Sequence, residues 1–234
     1  MNQLYAQIHA SIVAASNEEI RAKLARLIPG AQALGVPVPK LRELVEQFRR
    51  DHGTLSLEQA CDLMDHLCQD RVREELLFGI FLLGRYGKYL AGLPWQRLET
   101  WIGALDNWET CDQLASNVSG TVVAANLALI ERLVAITGSD HPWKRRFALA
   151  TAVELNHKGR SYPEATFQIC TPLMGDPEPS VRKAIGWALK EASKKSENQV
   201  YEFLFHHRDR IPASVLREAS EKLTTFHKSQ LIKR

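Results

Sequence analysis

The sequence predicts an all-α chain of stacked antiparallel helix pairs, and three observations carry that expectation. Apolar residues recur at three- and four-residue spacing along the 234 residues, while period-2 alternation is nearly absent. Capping and proline signals cut the chain into segments of helical length. Aspartate-containing turns recur ahead of apolar helices, with Val72, Trp108, Trp143 and Val181 at the openings, 36, 35 and 38 residues apart. Such a period fits a HEAT-like helical-repeat solenoid. One pair cannot bury its apolar stripe alone, so stacking builds a continuous core. The expected result is one domain over residues 1–234, C-shaped with a concave face.

The elements follow in order. A first helix is expected over 2–15. Ser16 followed by Glu19 reads as a capping box for a second helix ending before Pro29-Gly30. Gly35-Val36-Pro37-Val38-Pro39 is expected to stay non-helical, because each proline pushes its predecessor out of the α region. Pro39 then opens a helix over 40–50. His52-Gly53 closes it, and Ser56 with Gln59 offers a second capping box, for residues 57–68. Asp70-Arg71-Val72-Arg73 leads into a long apolar helix over 74–86, which Gly87 and Gly92-Leu93-Pro94 separate from a helix over 95–104. Further helices are expected over 107–117 and 121–135. Gly138-Ser139-Asp140 breaks the chain before Pro142, which suits the first turn of a helix over 141–155. A helix near 162–174 ends at Gly175, and Asp176-Pro177-Glu178-Pro179 launches one over 180–195. Two shorter helices, near 198–206 and 212–227, close the chain.

Hydrophobic residues make up 45% and charged residues 24%, the balance of a soluble globular protein rather than a disordered one. No apolar run approaches the roughly 20 residues of a membrane span, and the opening segment lacks a basic n-region. Neither a membrane partner nor export is expected. Cys61, Cys68, Cys111 and Cys170 form no CxxC pair, so free thiols in a reducing cytoplasm are expected, with neither disulfides nor a metal site. The net charge of +3 hides a polarity. Residues 1–140 carry 13 Lys+Arg against 17 Asp+Glu, a net of −4, and residues 141–234 carry 17 against 10, a net of +7. One end facing a polyanion, nucleic acid above all, accounts for that asymmetry. A solvated basic surface without a partner gives the same count.

Asp106-Asn107-Trp108-Glu109-Thr110-Cys111-Asp112 holds the most chemistry. On a helix Trp108 and Asp112 stand one above the other. The ring face attracts a flat cation, and the carboxylate stabilises positive charge that develops in a reaction. Alone, these residues fit a buried Trp beside a solvated or capping Asp at least as well. Trp187 by itself reads as core, and Trp143 is assigned to packing. Arg146 faces either a polyanion or water, while Arg145 points elsewhere. Arg182 and Lys183 with Lys190, Lys194 and Lys195 have a helical spacing that permits phosphate contact, as a solvated face also would.

Several blocks, in order and at matching spacing, resemble the AlkD family of bacterial DNA-alkylation-repair glycosylases. Asn107-Trp108-Glu109-Thr110-Cys111-Asp112 is similar to the family's W-D/E-T-x-D block, and Trp143-Lys144-Arg145-Arg146 to its W-x-x-R. Ala184-Ile185-Gly186-Trp187-Ala188-Leu189-Lys190-Glu191 is similar to A-I/V-G-W-x-L-R/K-E, and Gly35-Val36-Pro37-Val38-Pro39-Lys40-Leu41-Arg42 also fits. The resemblance implies excision of purines made cationic by alkylation at N3 or N7, from double-stranded DNA. It implies a cofactor-free enzyme, without the snug pocket of a base-flipping glycosylase. Trp108 and Trp187 would flank the lesion on the concave face, and Asp112 would stabilise the oxocarbenium-like sugar and help position water. Arg146 would hold a backbone phosphate. Arg42, Arg182, Lys183, Lys190 and Lys194 are the further DNA-contact candidates, and a cytoplasmic, nucleoid-associated monomer is the expected state. Two positions depart from the pattern. Val38 stands where the family often has a hydroxyl residue, and Lys190 replaces the commoner arginine, keeping charge but losing the bidentate fork.

Two other classes compete. An inactive HEAT-like DNA-binding protein would be marked by loss of a Trp or the Asp, yet Trp108, Asp112, Arg146 and Trp187 are all present. A protein-binding helical scaffold would have no salt-sensitive DNA affinity, and the +7 portion weighs against it.

Overall fold

Fifteen α-helices and no strand make up the described residues, 2–232 of the computed structural model. The one extended pairing among them is an isolated bridge between Gln32 and Val72. Chain contacts gather into two compact units, Met1–Val122 and Val123–Arg234.

The first unit holds α1 (Asn2–Ala14), α2 (Glu18–Leu27), α3 (Val38–His52), α4 (Leu57–Leu67), α5 (Arg73–Gly84), α6 (Trp95–Gly103) and α7 (Trp108–Leu114). At its centre lies α5, buried at every position from Arg73 to Leu83. Its unbroken run Leu76-Leu77-Phe78-Gly79-Ile80-Phe81-Leu82-Leu83 has no polar face, the pattern of a helix surrounded by neighbours. Those neighbours are α1, α3, α4 and α7. Local signals set the ends. Ser56 accepts from the Gln59 backbone N–H at 3.1 Å and Gln59 returns the bond at 2.9 Å, completing the expected capping box of α4.

Other boundaries differ from expectation for physical reasons. Asn17, not Ser16, caps α2, its side chain accepting from the Ile20 N–H at 3.0 Å. α3 begins at Val38, one residue before Pro39, because a proline in the first turn forfeits no intrahelical bond. The helix expected over 107–117 is α7 followed by a π-helical turn, Ala115–Ser119.

α8 (Gly120–Ala125) runs across the division, so the helix expected over 121–135 is broken. Ala125, Asn126, Leu127 and Ala128 are all exposed, and with no face to bury the chain departs from α at Asn126 (φ −140°, ψ 89°). The second unit continues with α9 (Ile130–Ile136), α10 (Pro142–Glu154), α11 (Pro163–Cys170), α12 (Pro179–Ser193), α13 (Glu197–His207), α14 (Ala213–Ala219) and α15 (Thr225–Ile232). α14 and α15 replace the single helix expected over 212–227. α10 is buried from Arg146 to Glu154 and packs on α12, which in turn packs on α11, α13 and α14. The helices opening at Arg73, Trp108, Pro142 and Pro179 stand at the repeat positions read from the sequence. No single helix among the described residues is long and apolar enough to cross a membrane. All four cysteines are buried and none forms a disulfide, and burial raises the thiols of Cys61 and Cys68 to about 11.

Candidate reaction site and nucleic-acid interface

α7 is held at its first turn by Asn107. Its side-chain oxygen accepts from the N–H groups of Glu109 and Thr110, each at 3.0 Å, satisfying donors that have no partner inside the helix. Thr110, Cys111 and Leu114 face the core, which turns Trp108 and Asp112 away from it. Trp108 is 39% exposed and Asp112 half-buried. The indole N–H of Trp108 donates to the Leu27 carbonyl at 3.1 Å, so an exposed ring is nonetheless fixed. Beyond Asp112 the chain widens into the π-helical turn, a distortion found more often at functional sites than elsewhere.

A network invisible in the hydrophobic pattern supports this helix. Arg73 is 2% exposed and Glu74 0%, at the head of the buried α5. Glu74 accepts from the backbone N–H groups of Leu34 (2.8 Å), Gly35 (3.0 Å) and Val36 (3.1 Å), so its carboxylate clamps the turn ahead of α3. Arg73 bridges Glu74 at 2.9 Å and, through Nε, Glu109 at 2.6 Å. Glu109 follows Trp108, so the clamp reaches α7. Gly35 closes the turn at φ +88°, where any side chain would collide with the Asn17 carbonyl. The only signal in the sequence is the run of three charges, Arg73-Glu74-Glu75, opening an otherwise apolar helix.

Arg42 stands beside α7. Its guanidinium lies over the Phe81 ring at 4.0 Å and donates to the Gln113 side chain at 3.4 Å. Burial and the neighbouring Arg85 charge both lower its pKa. Trp108, Asp112 and Arg42 therefore share one region of the first unit.

The second unit holds the other candidates. Arg146 is 5% exposed and donates to the Ser180 carbonyl at 2.7 Å, tethering the first turn of α12 to α10. Arg145 does point elsewhere, making a two-point bridge to Asp176 at 2.7 and 3.1 Å. On α12, Lys183, Trp187 and Lys190 follow helical spacing along one face; Lys183 is exposed, and Trp187 and Lys190 are half-buried. The cations of this helix divide by partner. Arg182 donates to the carbonyls of Asp176 (3.2 Å) and Pro177 (2.6 Å). Lys194 pairs with Glu191 at 2.7 Å. Lys190 pairs with Glu218 (3.2 Å) and Glu221 (3.3 Å). Partial burial alone would depress its pKa, but those two carboxylates outweigh it and raise the value. Trp143, assigned to packing, is half-buried.

The sequence matches no curated protein. Among solved structures, a predicted DNA alkylation repair enzyme from Enterococcus faecalis is similar over 90% of this chain and 97% of its own, with a TM-score of 0.72 at 22% identity. AlkD2 from Streptococcus mutans is similar over 88% of this chain and 100% of its own, with a TM-score of 0.55 at 18% identity. A third, smu.31 from Streptococcus mutans UA159, is similar over 80% of this chain and 99% of its own, with a TM-score of 0.53 at 18% identity. These likenesses establish the helical-repeat fold. A family model described as "DNA alkylation repair enzyme" matches residues 8–223. With nearly the whole chain matched, the protein belongs to the family of DNA alkylation repair enzymes.

Proposed function

We propose that the protein is a DNA glycosylase that removes cationic N3- and N7-alkylated purines from duplex DNA. The observation that carries this reading is the Trp108–Asp112 pair: an exposed indole fixed by the Leu27 carbonyl, with a carboxylate one helical turn on. An alkylated purine is already positively charged. When its glycosidic bond breaks, the bonding electrons leave with the purine and neutralise it, so the leaving base needs no general acid. Positive charge spreads onto the deoxyribose, and water then adds at C1′ and loses a proton, leaving an abasic site and a free alkylpurine. The enzyme has only to stabilise charge. A ring face contributes about 0.5 to 2 kcal/mol per cationic contact, and a well-placed charged group about 3 to 4 kcal/mol. Those magnitudes suit a reactive lesion and are too small for an undamaged base, so selectivity comes from leaving-group reactivity.

In this reading Trp108 and Trp187 contact the lesion nucleotide, Asp112 faces the sugar, and no pocket has to enclose a flipped base. Arg146 is carried over as a phosphate ligand on the resemblance, in addition to its tether on Ser180. The test is single-turnover incubation with a duplex carrying one N7-methylguanine, followed by alkali to reveal abasic sites. Cleavage at the lesion is expected. Tight, salt-sensitive binding without cleavage would leave a DNA-binding protein that has lost its chemistry.

A further inference from the structure

We propose that Gln113 is a specificity-determining residue, whose side-chain N–H donates to purine N3 of the lesion and so favours N7-alkylated guanine. This role rests on the proposed function and adds a hydrogen-bonding group to it. Gln113 follows Asp112 on α7, is half-buried, and lies against Arg42 of α3. Two neighbours dictate which way its amide faces. Asn117 Nδ2 donates to the Gln113 backbone carbonyl at 2.8 Å, and a carbonyl only accepts, so the Asn117 nitrogen must lie on this side. The same nitrogen is 3.0 Å from Gln113 Oε1. The Arg42 guanidinium, which has donors only, is 3.4 Å from that oxygen. Both neighbours donate, so the Gln113 oxygen is turned toward them and its Nε2 away. That Nε2 has no hydrogen-bond partner among the described residues and is open to solvent. The local backbone supports the arrangement. Asn117 belongs to the π-helical turn, and a Cβ on Gly84 would lie 3.1 Å from its Oδ1, so glycine leaves room for it.

An oriented, neutral donor therefore follows the Asp112 carboxylate along the chain. A donor-only group finds an acceptor on every base pair in the minor groove, at purine N3 or pyrimidine O2, as an enzyme acting in any sequence requires. Purine N3 is also the ring acceptor nearest the sugar that Asp112 faces in the proposed function. In N7-alkylguanine the N3 lone pair is intact. As the glycosidic bond breaks, its electron pair returns to N9 and, through the shared C4, enriches N3. The hydrogen bond thus strengthens as the base departs, and no proton is transferred. In N3-alkyladenine the alkyl group occupies N3 and no acceptor is left there. The contact separates two cationic lesions that a ring face and a carboxylate treat alike.

Release of N7-methylguanine and of N3-methyladenine from methylated duplex DNA is to be measured with the full chain and with Gln113→Met. Methionine keeps the length of the side chain and removes both donors. The ratio of N7-methylguanine to N3-methyladenine rates is expected to fall by about 2- to 10-fold, the scale of one net hydrogen bond. On a duplex carrying 3-deaza-7-methylguanine, which lacks the N3 acceptor, wild type and variant should have equal rates. An unchanged ratio, or an equal loss on the 3-deaza substrate, would overturn the proposal. Gln113→Glu keeps an acceptor for Arg42 and Asn117 but has no donor. A wild-type ratio in that variant would overturn the proposal as well, because the inward bonds alone would then account for the loss. Affinity for duplexes whose N7-methylguanine or 3-deaza analogue sits on a 2′-fluoro sugar, which resists cleavage, repeats the comparison without chemistry. A wild-type chain that excises nothing would sink the proposed chemistry. Weaker binding of Gln113→Met that requires N3 would still uphold the contact, and its absence would overturn it.

Discussion

The indole Nε1–H of Trp108 donates to the carbonyl oxygen of Leu27, joining α7 to the last residue of α2 across 81 residues of sequence. A carbonyl in the last turn of a helix has no partner within it. The bond therefore satisfies α2 and, at the same time, sets the plane of a ring whose faces the solvent can reach. An exposed tryptophan without such a bond would sample several rotamers, and each would have to be lost on meeting a ligand.

Trp108→Phe separates the ring from its tether. Phenylalanine keeps an aromatic face and loses the donor, and a net hydrogen bond contributes about 0.5 to 1.5 kcal/mol. Excision should slow by roughly 2- to 10-fold on that scale, with the melting temperature nearly unchanged. Trp108→Ala removes the face as well and should lose more rate together with lesion selectivity. Equal rates for Trp108→Phe and the wild type would show that the bond does not orient the ring for reaction.

Glu74 should be among the most sensitive positions for stability. Its fully buried carboxylate accepts three backbone N–H groups and the Arg73 guanidinium. In Glu74→Gln an amide N–H₂ must face donors, and Arg73 loses a buried partner. Breaking a buried pair from one side costs about 3 to 5 kcal/mol. Denaturant unfolding should show a loss of that order, with faster proteolysis of the turn around Gly35. A loss below about 1 kcal/mol, the value of an ordinary exposed pair, would mean that the turn is anchored elsewhere.

The C-terminal helices carry a pH-dependent contact. Glu197 accepts from the Thr224 backbone N–H and from His227 Nδ1, each at 2.7 Å. The Thr224 bond first, then His227, lower its pKa from 4.5 to about 2. A carboxyl whose folded pKa is depressed stabilises the fold above its unfolded value and loses that contribution as pH falls through its folded one. The junction of α13 with α15 should accordingly loosen between about pH 4.5 and pH 2. Amide exchange on α15 reports this directly, and Glu197→Gln should remove the acid-dependent step. Protection that stays constant across the window would refute the assignment.

What could be read in advance was what depends on near neighbours. The Ser56–Gln59 box, the stop before Pro29-Gly30 and the positions of the repeat-opening helices follow from residues a few places apart. Breaks without a glycine or proline could not be read. Nothing local distinguishes Asn126 from a helical residue; the break follows from the loss of any surface to bury. The π-helical turn is similar, since Asn117 packs where a Gly84 Cβ would lie 3.2 Å away. In the candidate site, Trp108 and Asp112 were legible from spacing and resemblance. The Arg73–Glu74–Glu109 network was not, because periodicity assigns charged residues to the surface. The cations of α12 were legible as charges, but the carboxylates that pair with Lys190 arrive from α14 and the turn after it, 28 and 31 residues later in the chain.

Asp112→Asn is the sharpest test of the proposed chemistry. Asparagine matches aspartate in size and hydrogen-bonding reach but carries no charge, so the substitution isolates the electrostatic contribution. If the carboxylate stabilises positive charge developing on the deoxyribose, its removal should slow single-turnover release of N7-methylguanine by roughly 10- to 1,000-fold, the range of losses when one electrostatic group leaves a site. Binding should move the other way or not at all, because a negative charge near the phosphates is gone. Stability should change little, since Asp112 is half-buried on the face of α7 turned away from the core. Excision rate, duplex affinity and melting temperature measured on the same preparations separate these effects. A slow variant that binds and melts like the wild type places the carboxylate in the transition state. A stably folded variant that excises at the wild-type rate returns Asp112 to an ordinary surface carboxylate, and the charge stabilisation would then have to come from the rings alone.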